Sequence, residues 1–231
     1  MENYLHTIAG SYDKAIELGR QGIDLYQDLP AFITQDPDYP GWKEQAAGGD
    51  SSRKEIKDYL APEKGMQFVD LGCCLNLMFY GYDKWPSVYN GVDISSKTIE
   101  LLNDYTAKRH ITTGSLVCAS IQETPYADDR FAIGACIGVL EYFETAFVKE
   151  ALREIHRIMK PDGRFVLDIP DSGDPIGRLM GRIEAYLGRP DRFDMTPSQF
   201  EELLRDYFII EKAEEGLSLI HISEPTRLRR I

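Results

Sequence analysis

From Met66 onward the sequence alternates short β-rich runs with stretches of helical period, and few architectures accommodate that alternation. The β-rich runs are MQFVDL (66–71), SVYNGVDI (87–94), SLVCAS (115–120), FAIGACIGVL (131–140) and RFVLDI (164–169). Between them the spacing predicts helices over 96–108 and 146–160, the second with Val148, Leu152, Ile155 and Met159 on one face. Strand, helix, strand in that order builds parallel pairs, so the expected class is α/β with a doubly wound, mostly parallel sheet. Thr196, Pro197 and Gln199 form an N-cap, a proline at the first helical position and a capping-box partner; the helix they open leads into a further strand, YFIIEK (207–212).

The first fifty residues stand outside this alternation. Tyr12, Ile16, Gly19, Ile23 and Tyr26 share one helical face, and the turn-rich segments at 36–41 and 48–52 set this region apart from the rest of the chain. Residues 1–50 are therefore expected as an N-terminal helical layer or lid, with the main domain spanning 51–216. Ser52 and Glu55 read as a capping box ahead of a short helix that Pro62 stops.

Composition narrows the function. Twenty-six Lys and Arg against 38 Asp and Glu leave a formal net charge of −12, which repels a nucleic-acid backbone and suits a small-molecule substrate. Apolar runs fall short of a membrane helix, and the four cysteines (Cys73, Cys74, Cys118, Cys136) lack disulfide-framework or zinc-knuckle spacing. The expectation is a cytoplasmic protein with reduced thiols, no metal site, no nucleic-acid partner and no membrane association.

In an open α/β sheet the ligand sits beyond the carboxyl ends of the strands, so chemistry is sought at the segments Val69–Asn76, Gly91–Ser95 and Gly138–Glu141. A dinucleotide fold would require G-x-G-x-x-G in the first of these, and only Gly72 is present. An acid two residues before that glycine would repel a pyrophosphate but suits a ligand carrying an amine or sulfonium. Asp93, 23 residues further on, is placed to accept two hydroxyl hydrogen bonds from a ribose.

These motifs, in order and spacing, resemble the class I S-adenosylmethionine-dependent methyltransferases, specifically the methyltransferase-11 type. VDLGCCLN resembles the family's cofactor loop, GVDIS its ribose segment, TPYADDRFAIGACIGVLEY its fourth-strand segment, and REIHRIMKPDGRFVLDI its helix, turn and fifth strand. The resemblance spans residues 66–212 and implies a Rossmann-like fold and S-adenosyl-L-methionine as cofactor. It places Asp70 and Gly72 around the methionine and ribose, Asp93 on the ribose diol, Ile94 against the adenine, and Ser120 and Ile121 at the adenine edge, with Cys74 and Gly138 also among the cofactor-binding residues. Cys74 and Asn76 stand where the family usually has glycines, and Ser120 where it usually has an acid.

The activity so implied is methyl transfer to a small-molecule acceptor by in-line displacement, for which no motif nominates a catalytic base. The alternative is a cofactor-binding or partner protein that keeps the fold without the reaction. Glu141, Tyr39 and Trp42, and the arginines Arg178 and Arg182 of an insertion at about 171–195, are the candidate substrate contacts, the arginines suiting an acidic acceptor. At the C-terminus, 216–223 is the candidate for the antiparallel strand that the family places between its fifth and sixth. LSLIHISEPTR also resembles translated sequencing-adapter sequence. Residues 217–231 carry a charge of +2 against −14 for the rest, and are read as a tail foreign to the domain.

Overall fold

The computed structural model describes residues 2–47, 54–170, 173–214 and 219–225. Ser52, the expected cap, lies outside them, as do 217, 218 and 226–231 of the tail set apart by sequence. The helices that precede the sheet are α1 (Glu2–Arg20), α2 (Ala31–Thr34), α3 (Tyr39–Ala47) and α4 (Lys54–Leu60). There follow β1 (Gln67–Leu71), α5 (Asn76–Phe79), β2 (Val88–Asp93), α6 (Ser96–Arg109), β3 (Leu116–Cys118) and β4 (Phe131–Cys136). The chain continues through α7 (Thr145–Ile158), β5 (Met159–Asp168), α8 (Pro175–Tyr186), α9 (Pro197–Leu204), β6 (Phe208–Glu214) and β7 (Leu219–Pro225).

The strands form one seven-stranded sheet in the order β3-β2-β1-β4-β5-β7-β6, in which β7 alone runs antiparallel to its neighbours. β7 takes the slot expected for 216–223, with Phe165 opposite Ile222 and Ile210 opposite the same residue on the other side. β5 starts five residues before the expected 164: Met159 already pairs with Phe131, and the register shifts before Arg164 meets Ile133. The Lys160–Gly163 turn is the inserted segment, and Asp162 enters it with φ +67°, a conformation Asp tolerates better than most residues.

Alternation along the strands divides the core. Val69 and Leu71 of β1, with Phe165 and Leu167 of β5, pack against α7, α9 and Ile8 of α1. Phe68 and Val166, one residue out of step, face the other side with α4 and α6. A third, smaller cluster joins Ile33 of α2 and Trp42 of α3 to Leu179 and Ile183 of α8. The N-terminal helices are thus pinned to the sheet domain at two places. At the first, Asp13 of α1 accepts from the Ser95 hydroxyl (2.6 Å) and the Lys97 amide (3.0 Å), and so sits on the first turn of α6, where a carboxylate is favoured.

β1 is the switch point: the chain moves outward one way through β2 and β3, then crosses to β4 and β5 on the other side. The crevice that this reversal opens at the carboxyl ends of β1, β2 and β4 is where the candidate residues converge.

Candidate functional site

A cavity of about 280 Å³ lies there, walled by the β1 loop, the ends of β2, β3 and β4, the one-turn helix 140–142, α1 and α8. Of the residues nominated from sequence, Gly72, Cys74, Asp93, Ile94, Ser120, Ile121, Gly138 and Glu141 all line it. Asp70, Tyr39, Trp42, Arg178 and Arg182 do not.

The β1 loop is held by its backbone. Gly72 and Cys73 both donate to the Val92 carbonyl, at 2.8 and 2.9 Å. Gly72 adopts φ +69°, and a Cβ there would collide with Val139, so only glycine lets the loop pass the 139–141 segment. Cys74 also takes a left-handed conformation, φ +35°, which keeps the path of a glycine at a strain cost for a residue with a Cβ. Its thiol is pushed up to about 12, chiefly by desolvation and then by the nearby Asp93, so it is no thiolate.

Asp93 ends β2 and is the hub of the loop. Its Oδ2 accepts the Cys74 amide and its Oδ1 the Ser95 amide, each at 2.8 Å. Asp93 lines the cavity, and a carboxylate has acceptor capacity beyond these bonds, which suits a ribose hydroxyl. Burial lifts its carboxyl to about 6, against the stabilising pull of the Ser95, Cys74 and Ile94 amides. Ile94 and Ile121 supply apolar walls nearby. The Ser120 hydroxyl is buried, lines the cavity and has no hydrogen-bond partner among the described residues; a ligand atom would satisfy it.

Asp70 stands behind the wall. Being one residue out of step with Val69, it faces the α4 and α6 side, where Tyr89 donates to it at 2.8 Å and Asn76 Nδ2 lies 3.4 Å away. Complete burial raises it to about 7. Of that group Asn76 lines the cavity, so Asp70 acts on it through Asn76.

Arg178 and Arg182 do not converge on the cavity because the buried face of α8 is that of Leu179, Ile183 and Glu184. Arg182 pairs instead with Asp36, and Arg178 donates to the Gly173 carbonyl at 3.0 Å. Tyr39 and Trp42 stack on each other at 5.6 Å and fill the third cluster.

The sequence reading missed the roof of the cavity. Glu184 accepts from Arg189 Nε at 2.5 Å, from Tyr26 at 3.0 Å and from Tyr142 at 3.3 Å; Tyr12 and Tyr142 bridge hydroxyl to hydroxyl at 3.1 Å. Arg189 is buried and its guanidinium lies 4.3 Å from the centre of the Tyr12 ring. Burial raises both Tyr12 and Tyr142, which stay protonated as donors. The face predicted to run from Tyr12 to Tyr26 is cut short, because α1 ends at Arg20 beside Gly19 and Gly22, and Tyr26 reaches the roof from the turn that follows; the remaining signal was an arginine set between Gly188 and Pro190.

Sheet order, a single antiparallel strand and a ligand crevice at the switch point define the Rossmann-like fold of the class I S-adenosylmethionine-dependent methyltransferases. Residues 69–167 match the family described as "Methyltransferase domain". Among curated proteins it is similar to the uncharacterized methyltransferase YcgJ of Bacillus subtilis (strain 168), at 29% identity over 99 residues, 43% of this chain. The chain matches 38% of that relative's length. The crystal structure of YcgJ superimposes with TM-score 0.58 at 18% identity, covering 71% of this chain and 70% of that one. Geranyl diphosphate C-methyltransferase from Streptomyces coelicolor A3(2), crystallised with Mg²⁺, geranyl diphosphate and S-adenosyl-L-homocysteine, gives TM-score 0.62 at 15% identity, over 96% and 97% of the two chains. The [4+2]-cyclase SpnF shares the fold at TM-score 0.55 and 18% identity, over 69% and 56%.

Proposed function

We propose that this protein binds S-adenosyl-L-methionine in the cavity and transfers its methyl group to a small-molecule acceptor. The observation that carries the reading is the pairing of Asp93, fixed by two backbone amides with lone pairs to spare, with the unpartnered Ser120 hydroxyl across the same cavity. Asp93 would hold the ribose diol, Ser120 and Ile121 the adenine edge, Ile94 its face, and Gly72, Cys74 and Gly138 the backbone approach to the methionine. When bound, the cofactor supplies an activated methyl group on a sulfonium. The protein's share is orientation and exclusion of water, which the aromatic roof of Tyr12, Tyr142 and Phe143 is shaped to give.

Four free thiols fit a reducing, cytoplasmic setting. Among the described residues no helix is long and apolar enough to cross a membrane. A cofactor-binding protein without methyl transfer is the second reading; the strained Cys74 and the cyclase of similar fold favour it.

The test is calorimetric titration of the full chain with S-adenosylmethionine and S-adenosylhomocysteine, with Asp93→Ala alongside. Micromolar binding that Asp93→Ala abolishes is expected. Absence of binding to both ligands rejects the cofactor site; binding without turnover across a broad acceptor screen leaves the second reading.

A further inference from the structure

We propose that the acceptor is a small apolar molecule bearing a basic amine, and that Glu141 selects it; the proposal rests on the methyl-transfer reading above. Three carboxylates line the cavity, those of Asp93, Glu141 and Glu184, and none of the described lining residues is Lys, Arg or His. Two of the three are already engaged. Asp93 is taken by the Cys74 and Ser95 amides, and Glu184 by Arg189 and two tyrosine hydroxyls. The Glu141 carboxylate accepts from its own backbone amide, and among the described residues no cation pairs with it.

Its position is equally specific. A Cβ on Gly138 would lie 3.7 Å from Glu141 Oε1, while the Gly138 amide donates to Asp168 Oδ1 at 2.8 Å. Two carboxylates therefore flank Gly138, just past the end of β4, and of the two Glu141 lines the cavity. An anionic acceptor would meet the Glu141 carboxylate, with which no cation pairs among the described residues, and a pure hydrocarbon would strip water from Glu141 and give nothing back. An ammonium supplies the missing charge, and the apolar lining of Ile8, Ile121 and Phe143 receives the rest of such a molecule. Similarity of fold to a geranyl diphosphate enzyme thus does not bring its anionic substrate with it.

Glu141 also serves as the proton acceptor. Desolvation first, and then the Asp168 carboxylate, push it well above the usual carboxylate range, closer to the basicity that proton exchange with an amine requires. The ammonium N–H bond breaks, an O–H bond forms on Glu141, and the nitrogen keeps the electron pair that makes it a nucleophile.

The test titrates the full chain, in saturating S-adenosylhomocysteine, with phenethylamine, 2-phenylethanol and 3-phenylpropionate. The amine is expected to bind at least about tenfold more tightly than the alcohol, with the carboxylate weakest, as one charge-assisted hydrogen bond provides. In Glu141→Gln that advantage should shrink to about threefold or less. Alcohol or carboxylate binding as tight as the amine overturns the proposal. So does an amine preference that survives in Glu141→Gln while affinity for S-adenosylhomocysteine drops, because Glu141 then belongs to the cofactor. If S-adenosylhomocysteine fails to bind yet the Glu141-dependent amine preference persists, the amine site stands and the methyl-transfer reading falls. The three-ligand comparison on the unaltered chain decides the matter even if Glu141→Gln folds poorly.

Discussion

The backbone amide of Cys74 donates to Asp93 Oδ2 at 2.8 Å, tying the loop after β1 to the end of β2 with one carboxylate. The same group holds the Ser95 amide at 2.8 Å, so the entry to α6 and the ligand loop share one anchor. Asp93→Asn keeps the shape but offers one acceptor oxygen where there were two. One of the two amides then faces an NH₂ group, and the remaining bond loses its charge assistance. The expected result is a loss of about 1–3 kcal/mol in stability, by urea denaturation, and at least about tenfold weaker S-adenosylhomocysteine binding. An Asn variant that melts and binds like the parent would remove Asp93 from the centre of the site.

Asp70 and Asp93 give the free protein a pH signature. Burial lifts them to about 7 and about 6, above the values they have in an unfolded chain. The native state therefore binds more protons than the unfolded state between roughly pH 4 and 7, and stability falls as pH rises through that window. Asp36, Glu100, Glu154 and Asp194, whose carboxyls are lowered, pull the other way; Glu100 and Asp194 are exposed and weigh little, while Asp36 and the buried Glu154 offset part of the effect. Thermal melts should show the free protein about 2 kcal/mol, or roughly 6 °C, more stable at pH 5 than at pH 7.5. Asp70→Asn should flatten that slope; a melting temperature that climbs from pH 5 to 7.5 would contradict the assignment.

Gly72 and Val139 are a coupled pair. Alanine at 72 brings two penalties: a left-handed backbone that a Cβ disfavours, and a collision with the Val139 side chain. Gly72→Ala is expected to cost about 3 kcal/mol, and Val139→Ala in the same chain to restore roughly half of it, because only the collision is relieved. A double-mutant cycle by chemical denaturation measures the coupling. Strict additivity would mean that the loop has moved away from Val139.

How far these features were legible in the sequence depends on whether the determining contact is local. Helices α6 and α7 begin and end within two residues of the predicted bounds, because periodicity is set by near neighbours, as is the capping box that Thr196 forms at the start of α9. Strand-end residues such as Asp93, Ser120 and Glu141 converge because a parallel sheet brings all its carboxyl ends to one crevice. Arg178 and Arg182 show where spacing runs out: four residues apart fixes a shared face but not its direction, and Leu179 and Ile183 own the buried one. Asp70 shows the same for a strand, where one step of alternation decides between cavity wall and interior.

The Arg189–Glu184 pair is the clearest case of a contact that no local pattern announces, and it carries the last prediction. Both side chains are almost fully buried, 3% and 6% exposed, and are joined at 2.5 Å under the ring of Tyr12. Removing the cation leaves Glu184 buried with only tyrosine hydroxyls, which costs more than the intact pair contributes to stability. Arg189→Ala should therefore destabilise the protein by about 3–5 kcal/mol, whereas Arg189→Met with Glu184→Leu should recover most of that loss by replacing charge with packing. The double variant still lacks the acceptor that holds Tyr26 and Tyr142 over the cavity. It should fold yet bind S-adenosylhomocysteine more weakly, since freed tyrosines no longer close the roof. Calorimetry on a double variant with restored melting temperature separates the two roles: undiminished affinity would make the pair a purely structural lock.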